Sequence, residues 1–218
     1  MLLSSIAMAS LMVSPETIAV DFEPPDRGSE GDREGSSSRT FCPAVNRPLL
    51  AIVPENSFGQ TISPRPRFWF YVPYDEVRPL VFVLRDSRDR IVYETQLNHS
   101  GDAGFVEIAL PETTTLDVGQ PYYWRFSYRC NPALPAEDDL VYGTIERIAA
   151  PDNLQPPELG SPSIDRAGQY AAAHLWFDVL AELIRLQRQT PDDDSVDAEW
   201  RELLKSIGLE FLADEAIE

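Results

Sequence analysis

The stretch from Gln120 to Cys130 constrains the fold most, because it carries a strand pattern and a cysteine in one register. Alternation with a period of two puts Tyr122, Trp124, Phe126, Tyr128 and Cys130 on one face and Tyr123, Arg125, Ser127 and Arg129 on the other. A strand that is apolar on one side packs against a second sheet. Cys130 is therefore expected to point inward, and a disulfide to Cys42, closing a long loop, suits an oxidising compartment. The alternatives are two separate buried thiols or a lone reactive one. Cysteines so far apart make a poor zinc site, and His99 and His174 have no ligand spacing, so no metal is expected.

Just upstream, the Leu116-x-x-Gly119-x-x-Tyr122 spacing resembles the corner of immunoglobulin-like and fibronectin-type sandwiches, in which a tyrosine hydroxyl bonds back to the upstream backbone. Seven strand-like runs with turn signals between them span Leu49–Val53, Arg67–Val72, Leu80–Arg85, Arg90–Leu97, Gly104–Leu110, Gln120–Cys130 and Leu140–Ile148. They recur without intervening helices, so the sheets should be mostly antiparallel. The expected fold is mainly β: an immunoglobulin/fibronectin-like antiparallel sandwich over residues 41–149, followed by a C-terminal helical hairpin.

The flanks differ in kind. Residues 1–20 hold a short apolar stretch, Leu2 to Val13, with small residues near Ala19; this suits a secretory signal, although a positively charged start is missing. It is too short to span a bilayer, so no transmembrane span is expected. Residues 21–40 are rich in Pro, Gly, Ser and charge and read as a flexible tether. A Pro-rich linker at 150–166 leads to a helical tail, 167–218. Over Ala167–Gln189 the residues Ala173, Trp176, Phe177, Leu180, Leu183, Ile184 and Leu186 form one apolar stripe at helical spacing. Trp200, Leu203, Leu204 and Ile207 give a second helix a matching stripe, with Asp194 or Ser195 as its N-cap and Gly208 at its end.

The formal charge of −18 speaks against nucleic acid as a main partner, since such binding rests on cationic neutralisation of phosphates. Residues 151–218 carry 15 acidic and 5 basic side chains, so most of the excess sits in the tail. The acidic run Pro191–Glu199 fails as an EF-hand, because Val196 and Asp197 fall where an oxygen donor and a glycine belong, and a capped helix start accounts for it. No Gly-x-Ser-x-Gly elbow, Walker loop or dinucleotide fingerprint is present, so neither a catalytic residue nor a cofactor is expected. Asp75, Glu76, Glu107, Asp138 and Asp139 could in principle supply a carboxylate pair for glycoside hydrolysis, yet no spacing selects two of them. Trp69, Tyr71, Tyr123 and Tyr142 are candidates for an aromatic platform, with core packing the simpler account for most of them. Arg65 and Arg67 with Arg85, Arg88 and Arg90 would give one end of the sandwich a basic rim able to receive the acidic tail of this or another chain.

Taken together, Arg39-x-x-Cys42, Leu50-Ala51-Ile52-Val53-Pro54, Pro64-x-x-x-Phe68-Trp69-Phe70-Tyr71-Val72-Pro73, Tyr122-x-Trp124, Gly143-x-Ile145-x-Arg147 and Trp176-Phe177-Asp178-x-Leu180 resemble a cyanobacterial family, domain of unknown function 928, over residues 39–212. The resemblance implies no particular reaction. The expected role is a non-catalytic binding or assembly module of the periplasm or cell surface, whose partner is a protein or envelope component. The rivals are a carboxylate-dependent hydrolase of envelope polysaccharide or peptide and a structural domain self-associating through its hairpin.

Overall fold

The computed structural model describes Val20 and residues 22–25, 31–35, 42–131 and 133–217; of the expected signal-like segment 1–20, residues 1–19 lie outside the described residues. Eight strands run β1 (Leu50–Ala51), β2 (Phe58–Thr61), β3 (Arg67–Val72), β4 (Pro79–Asp86), β5 (Ile91–Asn98), β6 (Gly104–Ala109), β7 (Pro121–Tyr128) and β8 (Asp139–Arg147), followed by helices α1 (Ile164–Ala172), α2 (Trp176–Gln189) and α3 (Asp194–Ser206). The strands form two sheets, β1-β3-β6 and β2-β8-β7-β4-β5. All pairs are antiparallel except β2 with β8. The architecture is mainly β, with two packed sheets and three helices.

Parity along β7 holds. Tyr122, Trp124, Phe126, Tyr128 and Cys130 are all buried, and the sheets meet where Phe70 of β3 stacks on Phe126 with ring centroids 3.9 Å apart and Phe68 lies 4.9 Å from Phe82 of β4. On the other face Tyr123 and Arg125 are exposed, whereas Ser127 is covered, its small side chain lying between its cross-strand neighbours Val81 and Leu140. The corner forms as the spacing predicts: Gly119 takes φ +74°, and the Asp117 backbone N–H donates to the Tyr122 hydroxyl at 2.9 Å. Cys42 and Cys130 are disulfide-bonded across a sequence separation of 88.

Strand β2 escapes the sequence pattern because it is four residues long and holds a glycine. Gly59 is required for packing, since a Cβ there would stand 2.8 Å from the Phe177 ring and 3.1 Å from Trp176 Cβ. That close approach seats the start of α2 on β2. Phe177 then reaches the inter-sheet core at 5.3 Å from Phe68, and Trp176 Nε1 donates to the Ile52 carbonyl at 2.9 Å.

The single helix expected over 167–189 is two helices. Ser163 caps α1 by accepting from the Arg166 N–H, the chain breaks at 173–175 with His174 at φ +58°, and α2 then begins at Trp176. His174 Nδ1 lies 2.7 Å from the Glu23 carbonyl, a long-range contact that helix periodicity does not encode. The cap of α3 is Asp193, accepting from the Ser195 N–H, one position before the expected pair. Trp200 of α3 lies 5.9 Å from Phe105 of β6, on the outer face of the three-stranded sheet. The described part of the expected tether also lies on this body. Phe22 is buried 4.8 Å from Trp176, Asp32 and Glu34 form bridges with Tyr142 and Leu50, and Val20, the last residue of the expected signal-like segment, is buried as well. These contacts use two apolar residues and backbone groups, which composition cannot reveal.

Candidate functional site

Asp178 stands out first, because it is fully buried on an otherwise apolar stretch of α2. It ties the helix to the sheet: the Ile62 N–H donates to Oδ2 at 2.9 Å and the Thr61 hydroxyl to Oδ1 at 3.1 Å. The pattern continues outward, with the Ser63 N–H donating to Thr61 Oγ1 at 3.0 Å and the Ser63 hydroxyl to Glu158 at 3.1 Å. Burial pushes the Asp178 carboxyl up to about 7, against the pull of the donors from Ile62 and Thr61.

The sign of that shift gives a stability prediction. Between the ordinary value of 3.8 and about 7 the folded chain holds this proton more tightly than the unfolded chain, so the Asp178 contribution falls as pH rises through that window and is level above it. Asp178→Asn should therefore gain on the wild type with rising pH, by roughly 3–4 kcal/mol at most between pH 4 and 8. Urea midpoints measured across that range check it; a difference that stays constant contradicts it.

Beside this tie opens a cleft of about 450 Å³ between α2, the Pro157–Glu158 segment and the start of strand β3. Its size is that of a small-ligand pocket. Ile184 and Phe177 of α2, Leu110 and Pro66 give it apolar walls, and Arg65, Arg67, Arg185 and Arg188 bring four guanidinium groups to it. Three of these are engaged. Arg67 and Arg188 converge on the two oxygens of Glu107, Arg188 at 2.8 Å, while Arg185 donates to the carbonyls of Pro157 and of Gly160, the latter at 2.9 Å. The Arg65 guanidinium has no hydrogen bond or ion pair among the described residues, and buried Trp69 Nε1 has no acceptor there either. A guanidinium without an acceptor beside an apolar wall suits an amphipathic ligand with an acidic end.

Of the residues singled out in the sequence, Trp69 lies in this cleft and Tyr123 does not. Trp69 and Tyr71 sit beneath the helices on the three-stranded sheet, whereas Tyr123 and Tyr142, 47% and 42% exposed, flank Arg125 on the outer face of the five-stranded sheet. Arg85, Arg88 and Arg90 occupy the β4–β5 turn, where Arg90 pairs with Asp86 at 2.6 Å and Arg85 with Asp89 at 3.4 Å. The acidic tail meets other cations, Glu215 pairing with Arg47 and Asp214 with Arg201 at 2.6 Å. Asp178, Glu158, Arg185 and Arg188 join this cleft without having been candidates from the sequence. An acid inside an apolar stripe was the signal for the first; the others come together only through the path of the Pro-rich segment. Among the described residues no group of three or more His, Cys, Asp or Glu is placed to hold a metal ion, and no helix is long and apolar enough to cross a membrane.

Fold and cleft together define a mainly β protein of two packed sheets with a helical cover over the smaller one. The chain belongs to the family described as Domain of Unknown Function (DUF928), whose model matches residues 30–217. No curated protein matches it.

Proposed function

We propose that the protein is an exported, non-catalytic binding module of the periplasm or cell surface that takes a small amphipathic ligand with an acidic end in the cleft beside α2. The observation that carries this is the Arg65 guanidinium at the cleft, which has no hydrogen bond or ion pair among the described residues, beside apolar walls and the Trp69 ring. The disulfide supports the compartment, since such bonds persist where the medium is oxidising. An immunoglobulin-like sandwich is the finer fold reading. The three-stranded group of first, third and sixth strands, the parallel pairing of the second with the eighth, and the Tyr122 corner all support it. On the same reading α2 and α3 form the helical hairpin, with Leu183, Leu203 and Leu204 fully buried within the chain, which leaves little apolar stripe for self-association.

Hydrolysis has one specific observation in its favour, the presence of both Asp178 and Glu158 in the cleft. Both Asp178 oxygens already accept hydrogen bonds from β2 and the residue that follows it, so binding ranks first. The test compares an alkyl or aryl carboxylate with its neutral amide by thermal shift. The carboxylate should stabilise the wild type, by about 2.7 kcal/mol at a hundredfold excess over Kd, and not the Arg65→Ala variant. Equal effects of acid and amide, or no loss in Arg65→Ala, would overturn the proposal.

A further inference from the structure

Glu199 is a carboxylate on α3 that is only 4% exposed, and the described residues offer it no arginine or lysine. Its one hydrogen bond there comes from the backbone nitrogen of Val20, 2.6 Å from Oε2. A buried carboxylate served by one amide is costly, whereas an ammonium in the same place gives a charge-assisted pair. Val20 itself is fully buried, and Phe22 fixes the path of the chain against Trp176. In the sequence, the apolar stretch Leu2 to Val13 is followed by Thr17 and Ala19, which occupy the third and first positions before Val20, where export signals carry small residues.

We infer that the mature chain begins at Val20, after cleavage of the Ala19–Val20 peptide bond, and that its new terminal ammonium pairs with Glu199. This rests on the export reading. The step is a hydrolysis by the peptidase of the export machinery: water supplies the hydroxyl that completes the Ala19 carboxyl group, and its proton goes to the Val20 nitrogen, which is an ammonium at neutral pH. Glu199 then serves as a receptor for a terminus that processing alone creates.

Two measurements test it. The first is the intact mass and location of the protein in cells producing the full chain, where the envelope fraction should hold residues 20–218. The second uses a chain released in vitro with Val20 as its first residue. Acetylating that amine should lower the melting temperature by several degrees in the wild type and have no effect in Glu199→Gln, and the amine should hold its proton about tenfold more tightly in the wild type than in Glu199→Gln. An exported chain with a different first residue, or an acetylation cost equal in both proteins, overturns the inference and leaves export standing. An uncut chain confined to the cytoplasm overturns export and cleavage together.

Discussion

Replacing Cys42 and Cys130 by serine is expected to cost about 4–5 kcal/mol of unfolding free energy, the largest loss from any substitution considered for this chain. The estimate follows from loop length, since the bond closes a separation of 88 residues and its removal returns that freedom to the unfolded ensemble. Cys130 follows the end of β7 on the core side, so the bond also holds the segment leading into β1 against the central strands. Urea midpoints of the wild type with and without reductant, and of the double serine variant, measure it. Reductant should destabilise the wild type to the level of the variant and leave the variant unchanged; a loss under about 1 kcal/mol would mean that the two ends are held together without the bond.

The second large effect belongs to Glu182, whose side chain on α2 is completely buried. Arg166 of α1 meets it with two bonds of 2.7 Å, from Nε to Oε1 and from Nη2 to Oε2, and the Ser163 N–H adds a third at 2.9 Å. Arg185 stands 3.5 Å away. The expected result is that Arg166→Ala costs about 3–5 kcal/mol, because it removes both short arginine bonds to a buried charge and leaves it only the longer ion pair with Arg185 and the Ser163 N–H. Pairing Arg166→Met with Glu182→Leu should recover most of that loss, since a buried ion pair replaced by apolar side chains of similar volume is often neutral. A small effect of Arg166→Ala would show that Arg185 swings in to take over. The same pair joins α1 to α2 across the break at His174, so its loss should also loosen the wall of the cleft that Pro157 and Glu158 provide.

What could be read from the sequence was whatever depends on local period and spacing. The alternation through Tyr122, Trp124, Phe126, Tyr128 and Cys130 identifies the core face of β7, and Leu116, Gly119 and Tyr122 identify the corner, because each signal lies within a dozen residues. The stripes of α2 and α3 are visible for the same reason. What escaped depends on contacts between distant segments. Phe58–Thr61 has too few apolar residues to announce a strand and becomes one by pairing with β8, 86 positions further along. At the break, His174 meets Glu23, 151 positions earlier, and the cleft depends on Pro157 and Glu158 returning to face α2. Trp69 was picked out for its chemistry, yet its grouping with Arg65 and Arg188 rather than Tyr123 follows from which face of which sheet each occupies.

Whether the cleft beside α2 is the ligand site is tested by titrating the ¹⁵N-labelled full chain with an alkyl carboxylate and following its amide and indole resonances. A ligand bound there should produce saturable shifts concentrated at the Trp69 indole N–H, Arg65 and Ile184, all absent in Arg65→Ala. Saturable shifts centred instead on Tyr123 and Tyr142, with the Trp69 indole unmoved, would contradict it.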